Sequence, residues 1–264
     1  MKKKKKLKII LFIIIILGIA AYIGISKYRL YKIVVENRND WDIFLTMNTP
    51  VNGEYMGEIY EKDYKVTNIP GEILSILFTD YFISHEESQF DPNDKIEENI
   101  YQKKVNKEKV IEISNKLFGP DYDIPLYDIE YGCGRSLKKD KSGYIITYQD
   151  PDVCGVYSYD LDVYLTNISN YYKKNGLIYI NMKVAYIDAI NYFEKDLSGE
   201  ENDEIKYVAY TNKDKKNIIS NNYDPNCIYN DGGKDCYKDF SNYTITLKKA
   251  SDNKYYFNDI RKDD

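Results

Sequence analysis

The stretch VYSYDLDVYLTNISNYYKKNGLIYINMKVAYI, residues 156–187, decides the fold class. Its first part alternates, with Tyr157, Tyr159, Leu161, Val163 and Leu165 on one side and Ser158, Asp160, Asp162 and Tyr164 on the other. A period of two marks a strand with one buried and one wet face. A strand is therefore expected over 156–166. Asn175-Gly176 is a tight-turn pair, because both residue types tolerate the positive φ of a two-residue hairpin turn. Leu177 to Ile187 resumes as a strand, so a long antiparallel hairpin is expected around that turn.

Working outward, Gly143 to Tyr148 and Ile205 to Thr211 read as further strands. Asn242 to Lys249 and Tyr255 to Ile260 flank Ser251-Asp252-Asn253-Lys254 as a terminal hairpin. Tyr186 to Glu194 is expected to be a loop or short helix, and Leu197 to Glu204 and Phe90 to Asn99 polar loops. Two helices precede the strands. Ile73, Leu74, Leu77, Phe78 and Tyr81 recur at helical spacing from about Pro70 to Ser84. Lys107 to Phe118 carries Val110, Ile111, Ser114, Leu117 and Phe118 on one face. Asn106 is placed to cap it, and Gly119-Pro120 to stop it. Helices first and antiparallel strands after give an α+β class: helices packed on a twisted antiparallel sheet of five or six strands. A pocket between sheet and helix is the default ligand site of such a fold.

The N-terminus is different in kind. Lys2 to Lys6 and Lys8 precede an uncharged apolar run, Ile9 to Ser26. As a helix this run covers roughly 27 Å, close to the hydrocarbon thickness of a bilayer. Its heavier positive flank is N-terminal, which places the N-terminus in the cytoplasm and the rest of the chain outside. Gly18-Ile19-Ala20 resembles a cleavage site but lies inside the run, and the run is longer than a signal peptide needs. The reading is an uncleaved single-pass anchor in the cell membrane. Tyr22, Tyr28 and Tyr31 suit a headgroup belt, and the helix is expected to continue to about Val35 before Asn37-Arg38-Asn39-Asp40. The organisation expected is a cytoplasmic basic tail (1–8), a transmembrane signal-anchor helix (9–26), a juxtamembrane segment (27–64) and an extracytoplasmic α+β domain (65–264). Asn48-Thr49-Pro50-Val51-Asn52-Gly53 breaks regular structure within the third of these.

Beyond residue 26 the chain has 31 basic and 42 acidic residues. Such an acidic domain is ill-suited to binding nucleic acid through phosphates or to docking on anionic lipid. Mean hydropathy is −0.57, yet 15% of residues are aromatic, which excludes compositional disorder. The 29 tyrosines admit two readings. One is a stacking surface for sugars or partners. The other, and stronger, is AT-rich coding of Lys, Ile, Asn and Tyr, with tyrosine serving half-buried sheets.

Cys133, Cys154, Cys227 and Cys236 all follow the anchor. An even count in an exported domain favours disulfides, and of the three pairings the local one, Cys133–Cys154 with Cys227–Cys236, fits the intervening turns. No CxxC spacing supports zinc or a redox motif. His85 is the sole histidine; His85-Glu86-Glu87 lacks the second histidine of a zincin, and no Gly-x-Ser-x-Gly accompanies it. It reads as a solvated helix-end residue. Asp160 and Asp162 are about 7 Å apart on one strand face, a separation inverting glycosidases use. Among 42 acidic residues such pairs arise by chance, and a wet strand face is the stronger reading. Neither Asp91, Asp94, Glu97 and Glu98 nor Asp224, Asn226, Asn230 and Asp231 has calcium-loop spacing. No catalytic, metal or cofactor residue is assigned.

The poly-lysine start, the Ile-rich anchor, Leu117-Phe118-Gly119-Pro120 closing a helix and the final Lys254-Tyr255-Tyr256-Phe257 strand give a layout. That layout resembles the single-pass, membrane-anchored extracytoplasmic proteins of AT-rich, low-GC Gram-positive bacteria, and it implies no activity. The terminal strands resemble cystatin-like or nuclear-transport-factor-like sheets. The expectation is a non-enzymatic, anchored binding or interaction domain whose partner is an envelope protein or cell-wall glycan. The alternatives are a cell-wall hydrolase using a carboxylate pair and an accessory subunit of an envelope complex.

Overall fold

A computed structural model describes residues 2–38, 63–86, 94–123, 125–131, 134–149, 163–190, 206–211, 215–224 and 235–263. The chain divides into two compact units, Met1–Asn39 and Asp40–Asp264.

The first unit is one helix. α1 spans Lys2–Tyr31 and continues through a π-helical turn, Lys32–Glu36, closed by Asn37 N–H donating to the Lys32 carbonyl at 2.9 Å. Phe12–Glu36 is long and apolar enough to cross a membrane, and its apolar window is not buried in the protein at all. The helix therefore ends where the polar run Asn37-Arg38 was expected to end it.

The second unit is α+β, mostly sheet. Its helices are α2 (Gly71–Glu86) and α3 (Lys107–Phe118). Its strands form two antiparallel sheets rather than one. The five-stranded sheet has the order β2 (Lys95–Glu97), β3 (Ile100–Asn106), β6 (Gly143–Gln149), β5 (Arg135–Asp140), β4 (Ile129–Tyr131). The seven-stranded sheet contains β1 (Tyr64–Lys65), β7 (Val163–Lys174), β8 (Leu177–Ile190), β9 (Lys206–Tyr210), β10 (Ile218–Tyr223), β11 (Ser241–Lys249) and β12 (Tyr255–Lys262).

β8 is the spine of the larger sheet. One edge pairs with β7 from Leu177 to Ile187. The other edge is shared, with β11 along Ile178–Val184 and β9 along Tyr186–Ile190. The strand thus runs on through Tyr186–Ile190, where a loop or short helix was expected, because β9 takes up the backbone groups that β11 leaves. The β7–β8 turn is as the sequence predicts: Asn175 and Gly176 have φ of 51° and 82°, both positive. Within the expected 156–166 strand, 163–166 belong to β7 and the earlier residues lie outside the described ones.

α2 is buried along nearly all of its length from Ile73 to Ile83. Leu74, Phe78 and Phe82 are at most 1% exposed, and Ser75 and Thr79 are fully buried. Its hydroxyls return to its own carbonyls: Ser75 donates to Gly71 and Thr79 to Ser75. A helix buried in this way belongs to a core, and α2 packs on β4, β5 and α3. α3 packs on β3 and β6 and reaches β12. Asn106 caps it, accepting the Lys109 N–H at 2.8 Å, and Gly119 ends it with φ 88°. Its buried face is Ile113, Ser114, Leu117 and Phe118; Ile111, expected on that face, is 58% exposed. At 119 a Cβ would come within 2.8 Å of the Tyr256 ring, so glycine serves both the left-handed turn and the close approach. Just beyond it, Asp121 accepts from the Ser251 N–H and hydroxyl at 3.0 and 2.5 Å, fastening the α3 exit to the β11–β12 turn.

Candidate functional site

Cross-strand partners in a sheet point to the same face, so register sorts the seven-stranded sheet into two surfaces. One is the core. Ile178, Ile180, Met182 and Val184 of β8 align with Tyr243, Ile245 and Leu247 of β11 and with Phe257 and Ile260 of β12; none is more than 2% exposed.

The other surface is polar and aromatic, and its centre is covered: Thr244 and Thr246 are 5% and 4% exposed. One row across it runs Tyr172 (β7), Tyr179 (β8), Thr246 (β11), Asp259 (β12). The next runs Asn170, Asn181, Thr244, Arg261 on the same strands. Tyr172 and Tyr179 stack with centroids 5.1 Å apart and planes 4° from parallel. Tyr172, on the sheet edge, keeps 40% exposure. The hydroxyls are held: Thr244 donates to Asp263 at 2.7 Å and lies 3.4 Å from Asn181 Oδ1, while Asn258 donates to Thr246 at 2.9 Å. Arg261 is 3.7 Å from Asp263, an exposed pair that salt screens. The Asn170 carboxamide oxygen accepts the Tyr171 N–H.

This surface is bounded at the β9 end. Lys183 donates to the Lys238 and Phe240 carbonyls at 3.2 and 3.3 Å. Phe240, with Tyr237 and Tyr223, covers Ala185, Ile187 and Ala209. Cys236 lies in this cap and is disulfide-bonded. The other three cysteines, Cys133, Cys154 and Cys227, lie outside the described residues. The Tyr223 hydroxyl is buried and has no hydrogen-bond partner among the described residues. Burial first, then the proximity of Tyr237 and Asp224, pushes its phenol up to about 12.

A second polar cluster joins α2 to the smaller sheet. Asp80 Oδ1 accepts from the Tyr131 hydroxyl at 2.6 Å and from the Arg135 guanidinium at 2.7 Å. Asp80 and Arg135 side chains are 24% and 17% exposed. Burial holds the Asp80 carboxyl above its ordinary range against the opposing pull of Tyr131 and Arg135. Burial and the adjacent carboxylate push the Tyr131 phenol upward, so it stays a donor. With both donors converging on one oxygen, the cluster acts as a clamp on the β4–β5 edge.

Asp160, Asp162, Asp91, Asn226, Asn230 and Asp231 lie outside the described residues. His85 sits in the last turn of α2, and its side chain lies outside the described ones. Asp94 pairs with Lys103 at 2.8 Å, while Glu97 and Glu98 are exposed in and beside β2, inside the segment expected to be a loop. Among the described residues no three His, Cys, Asp or Glu side chains gather as a metal site. The sequence reading missed both clusters. The tyrosine pair had a usable signal, since a two-residue turn at 175–176 sets Tyr172 opposite Tyr179.

No protein-family model, no curated protein and no solved structure matches this chain.

Proposed function

We propose that this protein is a membrane-anchored binding domain that meets its ligand outside the cytoplasm, through the polar face of its seven-stranded sheet, and that it is not an enzyme. The carrying observation is that face. At its β7 side the stacked tyrosines stand beside the Asn170 and Asn181 carboxamides on a rigid sheet, with the opposite surface committed to the core. A binding site on a scaffold needs such pre-positioned polar groups and aromatic surface. The anchor assignment rests on the fully exposed apolar helix, and its orientation on the six lysines that precede it. An outward domain also suits the disulfide at Cys236; Cys227 is its proposed partner, with Cys133 and Cys154 as the second pair. Non-reducing peptide mapping distinguishes this from the two crossed pairings.

The test is co-sedimentation of the full chain, in detergent, with purified cell-wall sacculi. Retention is expected, and it should fall sharply in a Tyr172→Ala, Tyr179→Ala double variant whose melting temperature stays close to the parent's. Retention unaffected by that variant would assign binding elsewhere and sink the reading.

A further inference from the structure

We propose that the turn end of the seven-stranded sheet is a basic rim that binds an extended polyanion, a strand of repeated phosphodiester groups. It rests on the binding reading above, whose face it borders, and adds the ligand's chemistry. Three features carry it.

The first is placement. β8 lies between β7 and β11, so the β7–β8 and β11–β12 turns emerge side by side at one end of the sheet. The two tips, residues 170–178 and 246–257, hold five lysines and one acid: Lys173, Lys174, Lys248, Lys249 and Lys254 against Asp252. All five lysines are exposed. Lys174 follows Tyr172 by two residues and Lys248 follows Thr246 by two, which puts both on the face that carries the tyrosine pair. With β8 between them they stand two strand spacings apart, about 10 Å. Guarding an edge strand would account for Lys173 and Lys174 on β7. It does not account for Lys248 and Lys249, since β11 is an interior strand.

The second is unanswered charge. Beyond residue 26 the chain has 42 acids against 31 bases, and lysines elsewhere are paired: Lys103 with Asp94, Lys109 with Glu112, Lys215 with Asp188. Among the described residues none of the five rim lysines makes an ion pair. The one acid is occupied, since Asp252 accepts from the Tyr256 hydroxyl at 2.7 Å and from the Lys254 N–H at 2.9 Å. Asp121, which reaches the same turn, is bound to Ser251. Lys173 lies over the Tyr255 ring at 5.3 Å, a contact that leaves its charge whole. Like charges gathered without counter-charge raise the local potential, and that draws a polyanion to the rim of an otherwise acidic domain.

The third is the kind of cation. Every one is a lysine, a flexible point charge without the planar fork by which arginine grips a carboxylate. Such charges suit a chain of singly charged phosphates. The rim runs from β7 to β12, three strand spacings or about 15 Å, so it meets several charges of one strand rather than a single small anion. The turns themselves, Asn175-Gly176 and Ser251-Asp252-Asn253, carry no apolar side chain to enter a bilayer, which favours a soluble strand over a lipid surface.

The experiment is a calorimetric titration of the full chain, in neutral detergent, with a glycerol-phosphate oligomer at salt from about 0.05 to 0.5 M. The oligomer should bind, and its affinity should fall roughly 500-fold over that range, the counterion release of four contacts. A Lys173→Gln, Lys174→Gln, Lys248→Gln, Lys249→Gln variant should lose most of that salt dependence and bind at least about tenfold more weakly at the low salt. A Lys95→Gln, Lys107→Gln, Lys138→Gln, Lys139→Gln variant removes the same charge from exposed positions outside the rim and should stay close to the parent. Three results overturn the proposal: no binding of the oligomer, binding indifferent to salt, or equal losses in the two variants. Capture of the chain, held in neutral nanodiscs, by phosphatidylglycerol vesicles in place of the oligomer would assign the rim to a bilayer and overturn it too. If the rim variant binds the oligomer as the parent does while sacculi retention still depends on Tyr172 and Tyr179, the rim has failed and the binding face stands. If retention ignores the tyrosines, the face has failed, and oligomer binding that needs the lysines keeps the rim as a site on its own.

Discussion

α1 and α2 are both helices of apolar residues, yet their surroundings are opposite. From Phe12 to Ile25 the large side chains of α1 are all about half exposed or more, with Leu17 at 62%. From Ile73 to Ile83 those of α2 are all at most 8% exposed. Composition alone does not separate them. What does is polar detail: α2 carries Ser75, Thr79 and Asp80, each answered by a defined partner, whereas from Phe12 to Ala21 α1 carries no polar side chain. A helix that belongs in a protein core is addressed to its neighbours by such groups; one destined for a bilayer needs no address.

The comparison can be broken most forcefully in α2. Phe78→Ala removes a fully buried ring and should cost about 3–5 kcal/mol, read as a large fall in the thermal or denaturant midpoint. The matching change in α1, Leu17→Arg, should leave that midpoint where it was. It should instead weaken membrane retention, since a charge at mid-helix costs about 3 kcal/mol of insertion; an unchanged membrane fraction after alkaline extraction would refute the anchor. Tyr131→Phe removes one of two donors to Asp80 and should cost about 1.5–3 kcal/mol, as expected for a hydrogen bond to a charged group.

The smallest effect is expected with the opposite sign. Tyr223→Phe deletes a buried hydroxyl that has no partner among the described residues and should stabilise by about 1 kcal/mol. It should also alter the alkaline limb. The Tyr223 phenol titrates at about 12 in the folded protein against 10.0 ordinarily. Between these values the unfolded chain releases the proton and the native one keeps it, so stability falls as pH rises. The variant should lose part of that slope, which denaturant midpoints between pH 9 and about 11.5 would show.

Local chemistry made much of this legible. Asn106, Gly119-Pro120 and Asn175-Gly176 each act over a few residues, and each sits where its spacing predicts. The N-terminal helix, long and apolar enough to cross a membrane, was legible for the same reason. β3 and β5 were not, because Lys103-Lys104 and Lys138-Lys139 interrupt the apolar alternation. Only Val105 of β3 and Leu137, with Ser136, of β5 are buried. Nor was the division into two sheets, which depends on pairings between distant strands. The Asp80 clamp joins residues 51 and 55 positions apart, a distance at which sequence spacing carries no periodic signal. The Tyr172–Tyr179 pair was legible from the turn; the rows that continue it into Thr244, Thr246, Asp259 and Arg261 were not.

The shared edge of β8 has a consequence for how the molecule comes into being. β8 waits for β11, about sixty residues later, to complete its edge, and Tyr64 waits for Ile260. A chain delivered N-terminus first therefore carries an open sheet until nearly its last strand emerges, the slow regime of long-range pairing. The rows built on Asp259 and Arg261 are completed last, so the proposed ligand meets only molecules whose synthesis has run to the end.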